Sequence, residues 1–117
     1  ERVGTKVKIS TKSATRVDLS GGTLDCWPLF LLVDSCVTIN LSISIFTYVN
    51  LEERSGAGID IHMRDLKFKK SFADLAAVLK ATDPELKMVQ KHLAFWKPSR
   101  GFALETFSES PMGGGLG

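Results

Sequence analysis

Long hydrophobic runs, cysteine and histidine are all scarce in this chain of 117 residues, and each scarcity excludes a class of protein. The longest apolar run, Leu29-Phe-Leu-Leu-Val33, is far shorter than the about 20 residues that span a bilayer. The two cysteines, Cys26 and Cys36, lack zinc-motif spacing, and we expect buried or free thiols in a reducing compartment. His62 is expected in solvent on the polar face of a strand, and His92 has no second ligand at metal spacing, so we expect no metal site within this chain.

Excess charge of one sign is also missing. The net charge is +2, and 44% of residues are hydrophobic against 24% charged, which is ordinary for a globular domain. This balance is too weak to indicate a nucleic-acid partner, and the cluster of Lys67, Lys69 and Lys70 is typical of a solvated strand edge. No signal peptide is visible, the first residue is Glu1, and the last residues are glycine-rich. We therefore expect a cytoplasmic segment of a longer protein, with no membrane partner.

The first half of the chain has strand patterns. Residues Val7 to Ser10 and Ala14 to Leu19 favour short strands, and Ser20-Gly-Gly-Thr23 favours a turn after them. Apolar residues then alternate with polar ones from Val37 to Ile45, and again from Ile59 to Met63. We interpret these two alternating runs as a long hairpin joined by residues 52–58, with one face in water.

The second half of the chain changes to a helical period. One stripe comprises Phe72, Leu75, Ala76 and Leu79, and the other comprises Leu86, Val89, Leu93 and Trp96. Thr82 or Asp83 is the expected N-cap of the second helix. Both tryptophans, Trp27 and Trp96, are expected in the core or in a pocket wall. The last predicted strand runs from Phe102 to Phe107. The order of elements predicts an α+β fold, with helices on one face of a mixed, mainly antiparallel sheet.

The chemistry-bearing stretch is the last one, Pro111-Met-Gly-Gly-Gly-Leu-Gly117. Clustered glycines suit a backbone with positive φ that approaches a ligand closely, and successive free N–H groups form a nest for anions. The loop lacks the lysine of the Walker A motif and the spacing of a dinucleotide-binding loop. A flexible glycine-rich tail is the alternative interpretation of the same composition.

Two blocks together resemble one family, the GHMP kinases, which include galactokinase, homoserine kinase and mevalonate kinase. The loop that begins at Pro111 is similar to the front of the family's Pro-x-x-x-Gly-Leu-Gly-Ser-Ser phosphate loop. The block Thr15-Arg-Val-Asp-Leu-Ser-Gly-Gly-Thr-Leu-Asp25 is similar to the Arg-Val-Asn-Leu-Ile-Gly-Glu-His-Thr-Asp stretch of galactokinases. The resemblance implies that residues 1–117 form the N-terminal part of a GHMP kinase domain and end inside its phosphate-binding loop. It also implies a fold like that of a ribosomal-protein domain.

The resemblance further implies an ATP- and Mg²⁺-dependent kinase that phosphorylates a sugar hydroxyl. Arg16 matches the family arginine near the transferred phosphoryl group, where a guanidinium stabilises growing charge. Asp25 matches the aspartate that binds sugar hydroxyls, with Asp18, Gly22 and Thr23 completing the substrate block. The residues implied to hold the ATP phosphates are Pro111, Gly113, Gly114, Gly115, Leu116 and Gly117.

Departures from the family pattern keep alternatives open. Gly22 and Thr23 stand where galactokinases carry a Glu-His pair, so galactose itself is in doubt, and heptose or fucose kinases share this Gly-Gly-Thr pattern. The Mg²⁺-binding serine and the catalytic aspartate of the family would come after Gly117, and we therefore expect residues 1–117 alone to be inactive. The alternatives are a kinase for a mevalonate-type alcohol, a non-catalytic sugar sensor and a nucleic-acid-binding module.

Overall fold

Five strands and two α-helices form the described part of the chain. The structure is a computed structural model that describes residues 6–24, 26–111 and 113. The strands are β1 (Lys8–Ser20), β2 (Ile39–Glu53), β3 (Ile59–Met63), β4 (Phe68–Phe72) and β5 (Phe102–Ser108). The helices are α1 (Leu75–Lys80) and α2 (Lys87–Trp96), with short 3₁₀ helices at Leu29–Leu32 and Pro84–Leu86. None of the described helices is long and apolar enough to cross a membrane.

The chain divides into two compact units. One, here called the helical unit, comprises Glu1–Lys12 and Tyr48–Ser108. The other, here called the glycine-loop unit, comprises Ser13–Thr47 and Glu109–Gly117. Strands β1 and β2 each contribute residues to both units, whereas β3, β4, β5 and both helices belong wholly to the helical unit.

The five strands form one sheet in the order β1-β2-β5-β3-β4. Strand β3 pairs antiparallel with β4 and parallel with β5. In the helical unit, the contacts of Glu53 with Val7 and of Thr11 with Val49 run in opposite chain directions, so β1 and β2 are antiparallel. The contacts of Arg54 with Gly101 and of Asn50 with Glu105 also run in opposite chain directions, so β2 and β5 are antiparallel. The predicted α+β class with a mixed, mainly antiparallel sheet is thus confirmed.

The core of the helical unit lies between the sheet and the two helices. The alternation in β3 buries every second residue, so that Ile59, Ile61 and Met63 face the helices. They form one cluster with the other buried apolar side chains, Val78, Leu86, Leu93 and Phe102. Asp60 and His62 fall on the opposite side of the same strand, because successive side chains of a strand point to opposite faces. This opposite side is called the open face below.

The predicted hairpin between the two alternating runs is wrong. Strand β5 lies between β2 and β3, and the hairpin partner of β3 is β4. Every alternate side chain of β3 is buried against the helices, and its backbone is paired on both edges, antiparallel to β4 and parallel to β5. A local alternating pattern reports which residues are buried, but it carries no information about which strand is inserted alongside.

The helix boundaries also differ from the sequence prediction. Phe72 ends β4 instead of starting a helix, and α1 begins after Asp74, whose carboxylate accepts a hydrogen bond from the N–H of Ala77 at 2.8 Å. Asp83 is the N-cap of the Pro84–Leu86 turn, one of the two residues predicted, but its side chain does not cap. Its Oδ2 instead accepts a hydrogen bond from Lys70 Nζ at 2.7 Å, which competes with the capping role.

The two tryptophans were predicted in the core or in a pocket wall, and neither lies in the core. Trp27 is 78% exposed and Trp96 is 74% exposed. Trp96 is the last residue of α2, and its ring packs edge-on against that of Phe95 rather than into the core. Neither cysteine is in a disulfide, as predicted, and neither is fully buried, since Cys26 is exposed and Cys36 is half-buried.

Candidate functional site

The two resembling blocks both fall in the glycine-loop unit. Arg16 and Asp18 lie two residues apart in β1, so they share one side of the strand. Arg16 Nε lies 3.2 Å from Asp18 Oδ1, and the two side chains are 61% and 34% exposed. An ion pair with this exposure contributes little to stability, because water screens it. Its effect is to restrict the guanidinium to one orientation while leaving it accessible to a ligand.

A glycine turn comes directly after β1. Gly21 has φ of +81°, and a Cβ added there would overlap the carbonyl oxygen of Val37 and lie 3.2 Å from the Cα of Thr38. Glycine is therefore required at this position on both conformational and steric grounds. The Gly21 carbonyl accepts hydrogen bonds from the N–H of Leu24 at 3.1 Å and from Thr38 Oγ1 at 3.3 Å. These contacts fix the turn that carries the predicted substrate-binding residues Gly22 and Thr23.

Asp18 occupies the space beside Gly22. A Cβ added at Gly22 would lie 2.6 Å from Asp18 Oδ2 and 3.0 Å from Asp18 Cβ. The carboxylate thus lies between the Arg16 guanidinium and the glycine turn, with one oxygen directed at each. Any side chain at position 22 would displace it, so the absence of the galactokinase-type side chain and the position of Asp18 are physically linked.

The segment that leads into the predicted phosphate loop lies against β1. Thr15, which is only 7% exposed, has its Oγ1 2.9 Å from Ser110 Oγ, across 95 positions of sequence. Two further hydrogen bonds tie the same segment to β2: the N–H of Glu109 donates to the Phe46 carbonyl at 3.0 Å, and the N–H of Phe46 donates to Glu109 Oε2 at 2.7 Å. The residues just before the glycine loop and the residue just before Arg16 are therefore in direct contact.

Part of the predicted phosphate loop is described. Pro111 is exposed and outside regular structure, and Gly113 lies in a turn with φ of +76°. A Cβ added at Gly113 would meet no described atom within 4 Å, so the backbone is open on that side. An open backbone with positive φ fits a loop that approaches a phosphate group.

Several predicted site residues lie outside the described residues. They are Asp25, Gly114, Gly115, Leu116 and Gly117. Of the predicted residues that are described, Arg16, Asp18 and Gly22 are brought together, Thr23 is exposed in the same turn, and Pro111 is the neighbour of Ser110 in the chain. Among the described residues, no group of three or more His, Cys, Asp or Glu side chains is placed to hold a metal ion.

Sequence reasoning missed four residues that hold the two blocks in place. Thr15 and Ser110 join the blocks to each other, Thr38 bonds the glycine turn, and Glu109 bonds β2. Each acts through a hydroxyl or carboxylate contact with a segment distant in sequence, and a single chain gives no pattern for such contacts. Thr15 carried a weak signal, because it lies inside the resembling block directly before Arg16.

The fold is shared with several solved structures of kinases. A D-glycero-D-manno-heptose 1-phosphate kinase from Bacteriodes thetaiotaomicron matches with a TM-score of 0.68 and 20% identity, over 94% of this chain. The Methanococcus jannaschii mevalonate kinase matches with a TM-score of 0.63 and 19% identity, over 97% of the chain. The Lactococcus lactis galactokinase, solved with galactose, matches with a TM-score of 0.66 and 22% identity, over 94%.

These structures are GHMP-family kinases, so the family resemblance from the two sequence blocks is confirmed at the level of fold. The chain spans 36% of the heptose-phosphate and mevalonate kinases and 28% of the galactokinase, about a third of their length. No protein-family profile matches the chain, and no curated protein matches it either. Identities near 20% establish a kinase-like fold and leave activity and substrate to be tested.

Proposed function

We propose that the protein containing this chain is an ATP-dependent small-molecule kinase that transfers a phosphoryl group to a sugar hydroxyl. We further propose that it acts in the cytoplasm on a free small-molecule substrate. The observation that carries the proposal is the contact between Thr15 and Ser110. Through it, the arginine block and the lead-in of the glycine loop meet on a fold that heptose-phosphate kinase, mevalonate kinase and galactokinase share.

The exposure of Arg16, and its place next to Thr15 in the chain, support a role for it in phosphoryl transfer. Its guanidinium is 61% exposed, and Asp18 restrains it through one carboxylate oxygen. We propose that it stabilises the negative charge that grows on the transferred group, for which its planar set of N–H donors is suited. Asp18 then acts as a positioning residue, because it contacts the arginine and the Gly22 turn rather than the reacting atoms.

The loop from Pro111 to Gly117 is proposed to hold the phosphates of ATP through backbone N–H groups. Bound ATP, with Mg²⁺, would supply the phosphoryl group. Gly113 fits this role by its positive φ and open side, and Gly114, Gly115, Leu116 and Gly117 extend the proposal on sequence grounds. Asp25, Gly22 and Thr23 are proposed to contact the acceptor sugar. The family resemblance puts the Mg²⁺-binding serine and the catalytic aspartate after Gly117, so residues 1–117 alone should give no turnover.

The test is an ADP-release assay of the full-length protein against a panel of hexoses, heptose phosphates and mevalonate. We expect one sugar or sugar phosphate to stimulate ADP release. Arg16→Ala should lower kcat about a thousandfold, because it removes an interaction made mainly in the transition state. Asp25→Ala should instead raise KM for the sugar while leaving ATP binding intact.

The matched control is Arg100→Ala. Arg100 is also an exposed arginine paired with a carboxylate, that of Glu53, but it lies in the helical unit. It should leave kcat within about twofold of the unmodified protein, since surface substitutions change little. Stimulation by mevalonate alone would move the substrate to a non-sugar alcohol. ATP binding without turnover on any acceptor would contradict the kinase proposal and favour a sugar sensor.

A further inference from the structure

The open face of the sheet in the helical unit carries a groove that the proposed kinase site does not use. The groove has a volume of about 590 Å³, and residues from all five strands line it. This size lies within the range of small-molecule sites. All of its lining residues belong to the helical unit, and neither Arg16, Asp18 nor the glycine loop is among them.

A fixed carboxylate lies at the centre of the groove. The strand register places His62 beside Glu105 on β5 and beside Lys69 on β4. His62 Nδ1 lies 3.3 Å from Glu105 Oε2, and Asn50 Nδ2 donates a hydrogen bond to Glu105 Oε1 at 3.3 Å. Both carboxylate oxygens are therefore oriented from opposite sides, while the side chain is still 39% exposed to the groove.

Next to this carboxylate, the floor of the groove is formed by a small side chain. Ala103 stands in register with Asp60, and its small side chain leaves space between that residue and the Glu52 side chain. Asp60 is held in place by Arg54, whose Nη2 lies 2.8 Å from Asp60 Oδ2. Three carboxylates, those of Glu52, Asp60 and Glu105, thus line the middle of the groove, where each can accept hydrogen bonds.

Two lysines stand at the opposite sides of the groove. Lys8 lies on β1 and Lys69 on β4, the two outer strands of the sheet. Both are exposed, and neither forms an ion pair with any residue that the structure describes. Other basic residues of the helical unit, such as Arg54 and Lys70, already pair with carboxylates. Lys8 and Lys69 are therefore available to an anionic group of a ligand.

We propose that this groove binds a phosphorylated, hydroxyl-rich small molecule. Hydroxyl groups would donate to the carboxylates of the floor, which a purely anionic ligand could not do without repulsion. The phosphate would accept hydrogen bonds from Lys8 or Lys69 at the rim. The inference does not depend on the proposed kinase activity, because none of the residues assigned to the kinase site lines this groove and the test is one of binding alone.

Tyr48 and Phe107, two aromatic residues of the helical unit, argue against nucleic acid as the occupant. Arg64 Cζ lies 4.8 Å from the centre of the Phe107 ring, and the Phe107 and Tyr48 rings stack at 6.2 Å with an angle of 18°. The Phe107 ring is thus packed against two protein side chains, which hinders the stacking of a base on it. The carboxylates in the middle of the groove would also repel a phosphate backbone.

The experiment is NMR titration of the isotopically labelled protein with glucose 6-phosphate, and separately with glucose and with inorganic phosphate. Glucose 6-phosphate should shift the amides of residues 50–52, 60–62 and 103–105 in a saturable way. Glucose or phosphate alone should bind at least about tenfold more weakly, because each lacks one of the two contacts. Equal binding of either fragment, or shifts confined to the glycine-loop unit, would overturn the proposal.

Variants separate the groove from a general charge effect. Glu105→Gln and Lys69→Gln should each weaken glucose 6-phosphate about tenfold, whereas Lys91→Gln, on α2 at the other face of the sheet, should leave affinity unchanged. These are surface changes, and the amide spectrum itself reports whether each variant is folded. An unchanged affinity in both groove variants, or an equal loss in Lys91→Gln, would contradict the assignment.

Discussion

The contact between Thr15 and Ser110 can be measured as a coupling energy, because it joins two residues that are 95 positions apart in the chain. Thr15→Val keeps the shape of a side chain that is 7% exposed and removes only its hydroxyl. Ser110→Ala removes the other partner, whose Oγ lies 2.9 Å from Thr15 Oγ1. The double variant completes a thermodynamic cycle that isolates the pair.

A neutral hydrogen bond of this kind contributes about 1 kcal/mol to the free energy of unfolding. Thr15→Val should therefore destabilise the protein by about 1–2 kcal/mol, because the Ser110 hydroxyl also loses its hydrogen-bond partner at a part-buried position. The coupling energy of the cycle should be about 1 kcal/mol. Urea unfolding, monitored by circular dichroism, measures the free energy of unfolding of all four proteins.

The matched control is Thr11→Val, at an exposed threonine whose Oγ1 donates to the Val49 carbonyl at the long distance of 3.5 Å. It should cost less than about 0.5 kcal/mol, as surface substitutions usually do. A coupling energy near zero between positions 15 and 110 would refute the reasoning that the arginine block and the lead-in of the loop are in contact. An equal loss in the Thr11 control would also refute it, because burial would then not matter.

Three further predictions concern the helical unit. Gly101→Ala should cost about 2–3 kcal/mol in a urea titration, because the added Cβ would overlap the carbonyl oxygen of Gly58 and lie 2.8 Å from that of Gly56. Gly58→Ala, whose added Cβ would have its nearest atom at 3.8 Å, should cost under about 1 kcal/mol, and equal costs would contradict this. Arg100 donates a hydrogen bond that holds the pKa of Glu53 below its ordinary value of 4.5, so the stability from this pair is complete above pH 4.5 and is lost as pH falls through the lowered pKa. Unfolding free energies measured from pH 5 downwards should accordingly fall less steeply in Arg100→Ala, and unchanged slopes would count against the pair. Asp74→Ala should cost about 1 kcal/mol through loss of the helix N-cap, and Asp74→Ser should recover most of it; no recovery would show that capping is not the cause.

The parts of the fold that depend on local patterns could be predicted from the sequence. Ile59, Ile61 and Met63 alternate with polar residues, and all three are buried as the period requires. The insertion of β5 beside β3 could not be predicted, because strand order is set by contacts between segments far apart in the chain. The exposure of Trp96 was also missed, since the end of a helix and the packing of its last side chain depend on neighbours that a helical stripe does not include.

The candidate site likewise has residues that the sequence could suggest and supporting contacts that it could not. Residue types that suit phosphate chemistry, such as the glycines from Gly113 onward and Arg16, could be proposed from the sequence because each has few substitutes at such a position. Their supports were not recognisable. Thr15 and Ser110 are common residues, and only the folded chain shows that they meet. The position of the Asp18 carboxylate between Arg16 and the Gly22 turn is likewise visible only in the folded chain.

The most direct test of the central proposal traces the γ-phosphoryl group of isotopically labelled ATP. The full-length protein is incubated with labelled ATP, Mg²⁺ and the sugar that stimulates ADP release, and the products are separated. The account predicts that the label is recovered as a sugar phosphate ester, and that Arg16→Ala abolishes this transfer while Arg100→Ala does not. Recovery of all label as free phosphate, or transfer that survives Arg16→Ala unchanged, would contradict it.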